Sequence, residues 1–498
     1  MITNNLKILF ILVLFFFTVE AKSKNNYLKD FNSSQLSSYF SGVIAQNNQN
    51  NEDALKYFKS SKQVLDKHEA YFRRFIFSLV LNQNVSRAVQ EIKFLKKDKK
   101  TDFFEAKLLL FLDSIKKKQF DKSQIYLREL SKFSGKGTFE KIIFQTLRDY
   151  LFTFENKKIS KFKSNFGNLT AINKAFQSCY LGEINTLKYF DHLKNSDDTD
   201  YSRYLFFYVN YLVQEKNFDL ARNIVSEINE INGSLLILQT KYWVEKNNFD
   251  KFEKIFSCKN ENDLLSEFFY LISNLYSSEE EFEQSNFYLN ISYFLNNKFK
   301  INLSLIADNY FLNENYEQVL KILKLFKPSD DLYYWFKIKM QGKIFAEKKN
   351  NEFSLKFIEK NFNNIKEPSI KVLFDFATIY KNSKKYKKAI ELYTNIIDKI
   401  DKDSATHADL LYRRGGSYER IEKYEKSDKD LEAALKILPN NSYILNYLAY
   451  SWLERNKNIS KSLQMLEKAY KQNENDPYII DSVGWGYYLT GRYEDAEK

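Results

Sequence analysis

The residues of this 498-residue chain best suited to covalent or metal chemistry are three histidines and two cysteines, and their spacing serves neither. His68, His192 and His407 are mutually remote, and none has a second histidine or a cysteine at the short interval a zinc site needs. Each reads as a surface or packing residue. Cys179 and Cys258 read as two small buried hydrophobes. Gly135-Lys136-Gly137-Thr138 has the composition of a phosphate-binding turn, but it lacks a preceding glycine at the required interval, its threonine does not follow the lysine directly, and no apolar strand leads into it. It reads as a turn between helices. The acidic run "SSEEEFEQS" at 277–285 reads as a solvated turn and helix start, where carboxylates complement the helix dipole. No catalytic residue, metal site or cofactor motif emerges, so a non-enzymatic protein without cofactors is expected.

What remains is recognition, and composition bounds the scaffold that would present it. At 498 residues the chain exceeds the roughly 250 to 300 that one core supports, so it must be several domains or one elongated array. Only 4 Pro and 12 Gly punctuate it, which favours helices joined by short turns. With 44% hydrophobic and 17% aromatic residues it is too apolar for disorder. The net charge of +12 could release counterions from a nucleic acid. Yet Glu and Asp interleave with Lys almost throughout, and the runs "KDKK" at 97–100, "KKK" at 116–118 and "KKYKK" at 384–388 fall near predicted helix ends or turns. A nucleic-acid partner is not expected.

At the N-terminus Lys7 precedes the apolar run Ile8 to Val19, and Val19-Glu20-Ala21 offers the small residues a signal peptidase reads. As a helix those 12 residues would span about 18 Å, short of a hydrocarbon core of about 30 Å. Residues 1–21 are therefore expected to be a signal peptide cleaved after Ala21, giving a periplasmic protein; the alternative is an envelope protein anchored by this segment uncleaved. No cysteine follows the run closely, so a lipid anchor is not expected, though peripheral association with the envelope membrane stays open.

A repeat organises the rest. Taking a small residue as anchor, Gly484 is followed by Tyr487, Tyr493 and Ala496; Gly415 by Tyr418, Tyr424 and Ser427; Ala377 by Tyr380, Tyr386 and Ala389; Ala307 by Tyr310, Tyr316 and Val319. Weaker copies anchor on Gly42, Val209 and Ser273, and one on Ala449 requires a one-residue insertion. From 273 the anchors run 307, 342, 377, 415, 449 and 484, and upstream 42, 76 and 111, while 135–170 yields no anchor. Steps of 34 to 38 residues over the mature chain give about 14 units. Anchor, anchor plus three and anchor minus four share one helix face, and a small anchor lets a second helix approach closely. Each hairpin leaves an apolar face that only the next unit can bury.

The pattern Leu411-x2-Arg414-Gly415-x2-Tyr418, then Ser427-x3-Leu431 and Pro439, with Ile480-x2-Val483-Gly484-x2-Tyr487 and Ala496, resembles the tetratricopeptide repeat, with an aliphatic residue where that family favours Trp. The resemblance implies an all-α fold, an α-solenoid of about 14 stacked helix-turn-helix units forming a superhelix: degenerate repeats over 22–264, well-defined repeats over 265–498, and a last repeat left incomplete. A longer product is expected on that ground. Stacked units lie about 8 to 10 Å apart, which would hold Cys179 and Cys258, two units apart, beyond the roughly 7 Å limit for a disulfide.

Proteins that this sequence resembles bind ligands along the concave side, on first-helix residues facing away from the anchor. Those positions here are Tyr412, Tyr443, Asn446, Tyr450, Tyr478, Asp481, Trp485 and Tyr488, an aromatic set suited to an extended chain or helix. The Lys and Asn with which some relatives clamp a C-terminal carboxylate are replaced by Tyr412, Asn446 and Asp481, which argues against chaperone-tail binding. The expected function is a protein- or peptide-binding scaffold of the bacterial cell envelope. The alternative is a substrate-recruiting array of an enzyme whose catalytic domain lies beyond residue 498.

Overall fold

A computed structural model describes residues 33–62, 69–95, 99–135, 137–160, 166–194 and 202–498. The apolar run and the cleavage site after Ala21 lie outside them. Among the described residues there are 27 α-helices, no strand, and no helix long and apolar enough to cross a membrane. The helices alternate as fourteen first helices and thirteen return helices, and the fold is a tetratricopeptide-type α-solenoid.

The anchors fix how each hairpin closes. Val209, Thr240, Ser273, Ala307, Ala377 and Ala449 are fully buried, and so are the bulkier Ile76 and Phe111. At three of the four glycine anchors the return helix has moved into the space: a Cβ on Gly42 would stand 2.9 Å from the Phe58 ring, one on Gly342 2.5 Å from Ile358, and one on Gly415 3.0 Å from Leu431, while one on Gly484 would meet only the Ala496 carbonyl at 3.6 Å. In those three the blocking residue lies sixteen positions beyond the anchor.

Seven residues after the anchor the backbone turns left-handed. Gln49, Gln83, Lys118, Gly182, Lys216, Asn247, Glu280, Glu314, Lys384, Glu422, Asn456 and Gly491 all have φ between 53° and 77°. The following amide then reaches back five residues to the carbonyl three beyond the anchor: Asn315 to Tyr310 at 2.8 Å, Lys385 to Tyr380 at 2.8 Å, Lys423 to Tyr418 at 3.0 Å and Arg492 to Tyr487 at 2.8 Å. This is the Schellman closure of a helix C-terminus. The next helix starts at once, and Asn50, Asn217, Asn315 and Asn350 cap it with their side chains, whereas Asn84 and Asn458 precede a helix without such a bond. The unit anchored on Gly342 departs from the rule, since Lys349 has φ −127°.

The same marker resolves the stretch 135–170. Helix Thr138–Asn156 ends at Lys157, φ 53°, so the anchor seven residues earlier is Tyr150, which is buried. The next described helix, Asn168–Leu181, carries its own anchor, Ala175. Among the described residues this one unit has no return helix.

The described residues form two compact units, those up to 151 with 268–295, and those of 152–267 with 296–498. In the first, helix Phe282–Leu295 packs on Glu69–Leu81 and Val85–Phe94. Phe287 stacks on Phe77 at 4.4 Å, Asn290 Nδ2 donates to the Leu81 carbonyl at 3.5 Å, and Gln46 Nε2 donates to Glu283 at 3.1 Å. These contacts link residues more than two hundred positions apart, beyond what nearest-neighbour stacking provides.

The second unit corrects the expectation for the cysteines. Cys179 and Cys258 form a disulfide with Cα atoms 5.8 Å apart. The spacing argument counted helix axes, but Cys258 sits on a connecting loop. Return helix Asp250–Ile255 has only six residues, and Phe256 is extended at φ −158° and ψ 140°, so the chain leaves its helix early. Phe256 then packs on Phe176 at 6.0 Å and Phe207 at 4.7 Å, and Tyr180 donates to Glu261 at 2.8 Å. Nearby, the fully buried Glu267 is held by a two-point pair with Arg203 at 2.7 Å, which offsets part of the penalty that burial places on its charge.

Candidate partner-binding face

The last two complete first helices, Ser442–Glu454 and Pro477–Leu489, begin where side chains cap them. Asn441 accepts from the Ile444 amide, and Asp476 accepts from those of Tyr478 and Ile479 with Pro477 in the first turn. Their inward stripes are apolar. Leu445, Ala449, Leu453, Ile479 and Val483 join Leu466 and Ala469 of the intervening return helix in one buried cluster. None of the eight residues expected to contact a partner belongs to that cluster.

They lie on the other stripe. Tyr443, Tyr450, Tyr478, Trp485 and Tyr488 are exposed, with Tyr478 80% accessible. Asp481 is exposed as well, while Tyr412 and Asn446 are half-buried. The spacing explains the grouping, because 443, 446, 450 and 478, 481, 485, 488 advance by three or four residues and so stay on one side of each helix. Trp485 stacks on Tyr488 at 5.5 Å, and its indole Nε1 donates to Glu454 on the neighbouring helix at 2.7 Å. Tyr450 is close to Glu454 and Asp481, and burial together with these two carboxylates raises its phenol above the ordinary value. Tyr412 packs edge-on to Tyr447 at 5.6 Å, and burial raises its phenol too. Tyr478 makes no ring contact with the others among the described residues.

Three contributors were not anticipated from the sequence. Glu454 orients Trp485 and stands four residues after Tyr450, so the helical period was the available signal. Tyr447 bridges Tyr412 to Glu419, to which it donates at 3.2 Å, and it covers Gly416, where a Cβ would meet its hydroxyl at 3.2 Å. Asn473 donates to the Tyr443 hydroxyl at 3.4 Å. One polar atom within the face is left over: Asn446 Oδ1 is shielded from solvent and has no hydrogen-bond partner. The arrangement offers aromatic faces and the carboxylates of Glu454 and Asp481.

No family model matches the chain. A segment of 89 residues, 18% of the chain, is 35% identical to the TPR repeat-containing protein PA4667 of Pseudomonas aeruginosa, and the match spans 15% of that relative's length. Among solved structures, the TPR domain of P58(IPK) aligns over 92% of the chain and 98% of its own length at 14% identity and a TM-score of 0.30. MamA from Desulfovibrio magneticus RS-1 aligns over 32% of the chain and 87% of its own length at 14% identity and a TM-score of 0.27. Superpositions at that level add nothing to the assignment. The assignment of the fold rests on the 34-residue frame, the hairpin closure at all but one of the described anchors and the matched segment, which together give the chain a tetratricopeptide-like repeat organisation.

Proposed function

We propose that this chain is a non-catalytic scaffold of the bacterial cell envelope that captures an extended protein or peptide segment on the first-helix face of its last three units. The observation that carries this reading is the ladder of exposed aromatics on Ser442–Glu454 and Pro477–Leu489, which stands outside the buried cluster of these helices. Aromatic side chains give large contact area at modest entropy cost, and a scatter of single exposed apolar residues would not form such a ladder. The carboxylates of Glu454 and Asp481 favour a segment that carries basic or neutral side chains. Export is supported by the run Ile8 to Val19 and by the Cys179–Cys258 bridge, since disulfides persist in oxidising compartments.

The test is a peptide selected from a displayed random library for binding to the chain, with its affinity then measured on Trp485→Ala and Tyr450→Ala. Each substitution is expected to weaken binding by about 1 to 3 kcal/mol with unchanged helicity, as hot-spot truncations do. If these were packing residues, each would instead lower stability by about 3 to 5 kcal/mol, as aromatic core truncations do. A selected peptide that binds both variants as tightly as the parent would remove this face from the proposal.

A further inference from the structure

A cavity of about 700 Å³ opens within the first compact unit, far along the chain from the aromatic face, and it has the volume of a ligand pocket. Its walls are aromatic: Phe139 stacks on Tyr276 at 4.3 Å, Tyr276 on Tyr288 at 5.5 Å, and Phe287 on Phe77 at 4.4 Å. Its charge opposes that of the protein. Five glutamates face two arginines in the lining, in a chain whose net charge is +12.

Both arginines are already engaged. Arg73 donates to Glu105 Oε1 at 2.7 Å, and Arg74 donates at 3.3 Å to Gln46, which in turn donates to Glu283 at 3.1 Å. The second oxygen of Glu105, Oε2, is shielded from solvent and has no hydrogen-bond partner. An ionised carboxylate oxygen in that position is costly unless a donor reaches it. Burial, with Glu140 and Glu105 nearby, pushes the Tyr276 phenol up to about 12, and burial likewise raises the Glu283 carboxyl. The cavity therefore combines an unmet acceptor, excess negative charge and aromatic faces.

We propose that this cavity receives a cationic group, either a lysine or arginine side chain of a polypeptide or the ammonium of a polyamine, paired with the carboxylates of Glu105 and Glu140 and seated against Phe139 and Tyr276. Carboxylates satisfy the charge by charge-assisted hydrogen bonds, and the aromatic faces add cation–π attraction in a partly desolvated setting. A neutral donor would leave the excess negative charge of the lining unbalanced.

The experiment titrates the whole chain with fluorescein-labelled tri-lysine and, separately, uses spermidine as a competitor. Saturable binding is expected, weakened at least tenfold in Glu140→Gln and in Glu105→Gln, and unchanged in Glu432→Gln, an exposed carboxylate outside the cavity. Glu140→Gln leaves the Arg73–Glu105 pair intact, so it keeps the test decisive if Glu105→Gln fails to fold. Efficient displacement by spermidine identifies a polyamine site, whereas its failure to compete identifies side chains of a polypeptide. Absence of saturable binding by both cations overturns the proposal, and so does unchanged affinity in Glu140→Gln. Loss of tri-lysine binding in Trp485→Ala alone would place the cation on the C-terminal face and overturn it equally.

Discussion

Asp263 and Asp308 hold carboxyls that burial pushes up to about 6, only partly offset by the Ser257 amide and Lys298 at the first and by Lys343 and Lys339 at the second. An unfolded aspartate titrates near 3.8, so between about pH 4 and 6 the native state keeps protons that the unfolded chain has lost. These two groups therefore stabilise the fold least above pH 6, and their contribution improves as pH falls toward 4. Asp428 behaves oppositely: burial pushes it up, but Arg455 and Lys457 overcome this and hold it below the ordinary value, so its contribution is lost at low pH as it is protonated. Asp308→Asn is expected to raise stability at pH 7.5 by about 2 to 3 kcal/mol, the equivalent of two pKa units, and to flatten the dependence between pH 4 and 6. Thermal unfolding of parent and variant at pH 4.5 and 7.5 checks this, and an equal difference at both would refute it. The aromatic ladder was legible at this scale because side chains three and four apart share a helix face. Half-buried aspartates were not, since Asp308 in "LIADNY" carries no mark of how far its neighbours enclose it.

At the scale of the helical hairpin, the anchors were legible because burial of a small residue repeats with the period. The turn was less so. Glycine announces a left-handed residue only at Gly182 and Gly491, and elsewhere the position is filled by Gln, Lys, Glu or Asn. The unit at Tyr150 escaped for the same reason, with a bulky anchor, Lys157 in the turn and no return helix among the described residues to restore the period. A β-carbon at positive φ costs roughly 1 to 2 kcal/mol, which glycine avoids, while glycine gives back about 0.4 to 1 kcal/mol through the freer unfolded chain. Lys384 is exposed, has φ 57° and lies in the run "KKYKK". Lys384→Gly should therefore stabilise by about 0.5 to 1 kcal/mol, and Lys384→Val should destabilise, because a β-branched residue fits this conformation worst. Urea unfolding monitored by helicity reads both, and a lower midpoint for the glycine variant would mean that the turn does not carry the strain assigned to it.

For the whole molecule, period and amphipathicity specify which helix packs on the next, and they say nothing of residues that meet after several units. The disulfide is such a meeting, set by a return helix of six residues that no propensity rule shortens. Its two cysteines lie 79 positions apart, so cross-linking them removes much conformational freedom from the unfolded chain. The chain-entropy relation puts the stabilisation at about 4 to 5 kcal/mol for a loop of this length, an upper bound where the reduced chain keeps residual structure. Reduction should therefore lower the thermal midpoint of the transition that includes residues 152–267. The Cys179→Ser/Cys258→Ser variant should unfold at the reduced midpoint with or without reductant. Both cysteines are buried, so thiol labelling of the native chain cannot report their state, and mapping of unreduced peptides must establish the bond first. Two alkylated thiols in that map would contradict the bridge directly. A mapped bridge whose reduction left the midpoint in place would mean that the neighbouring contacts, Phe256 on Phe207 and Tyr180 on Glu261, already close this part of the coil without it.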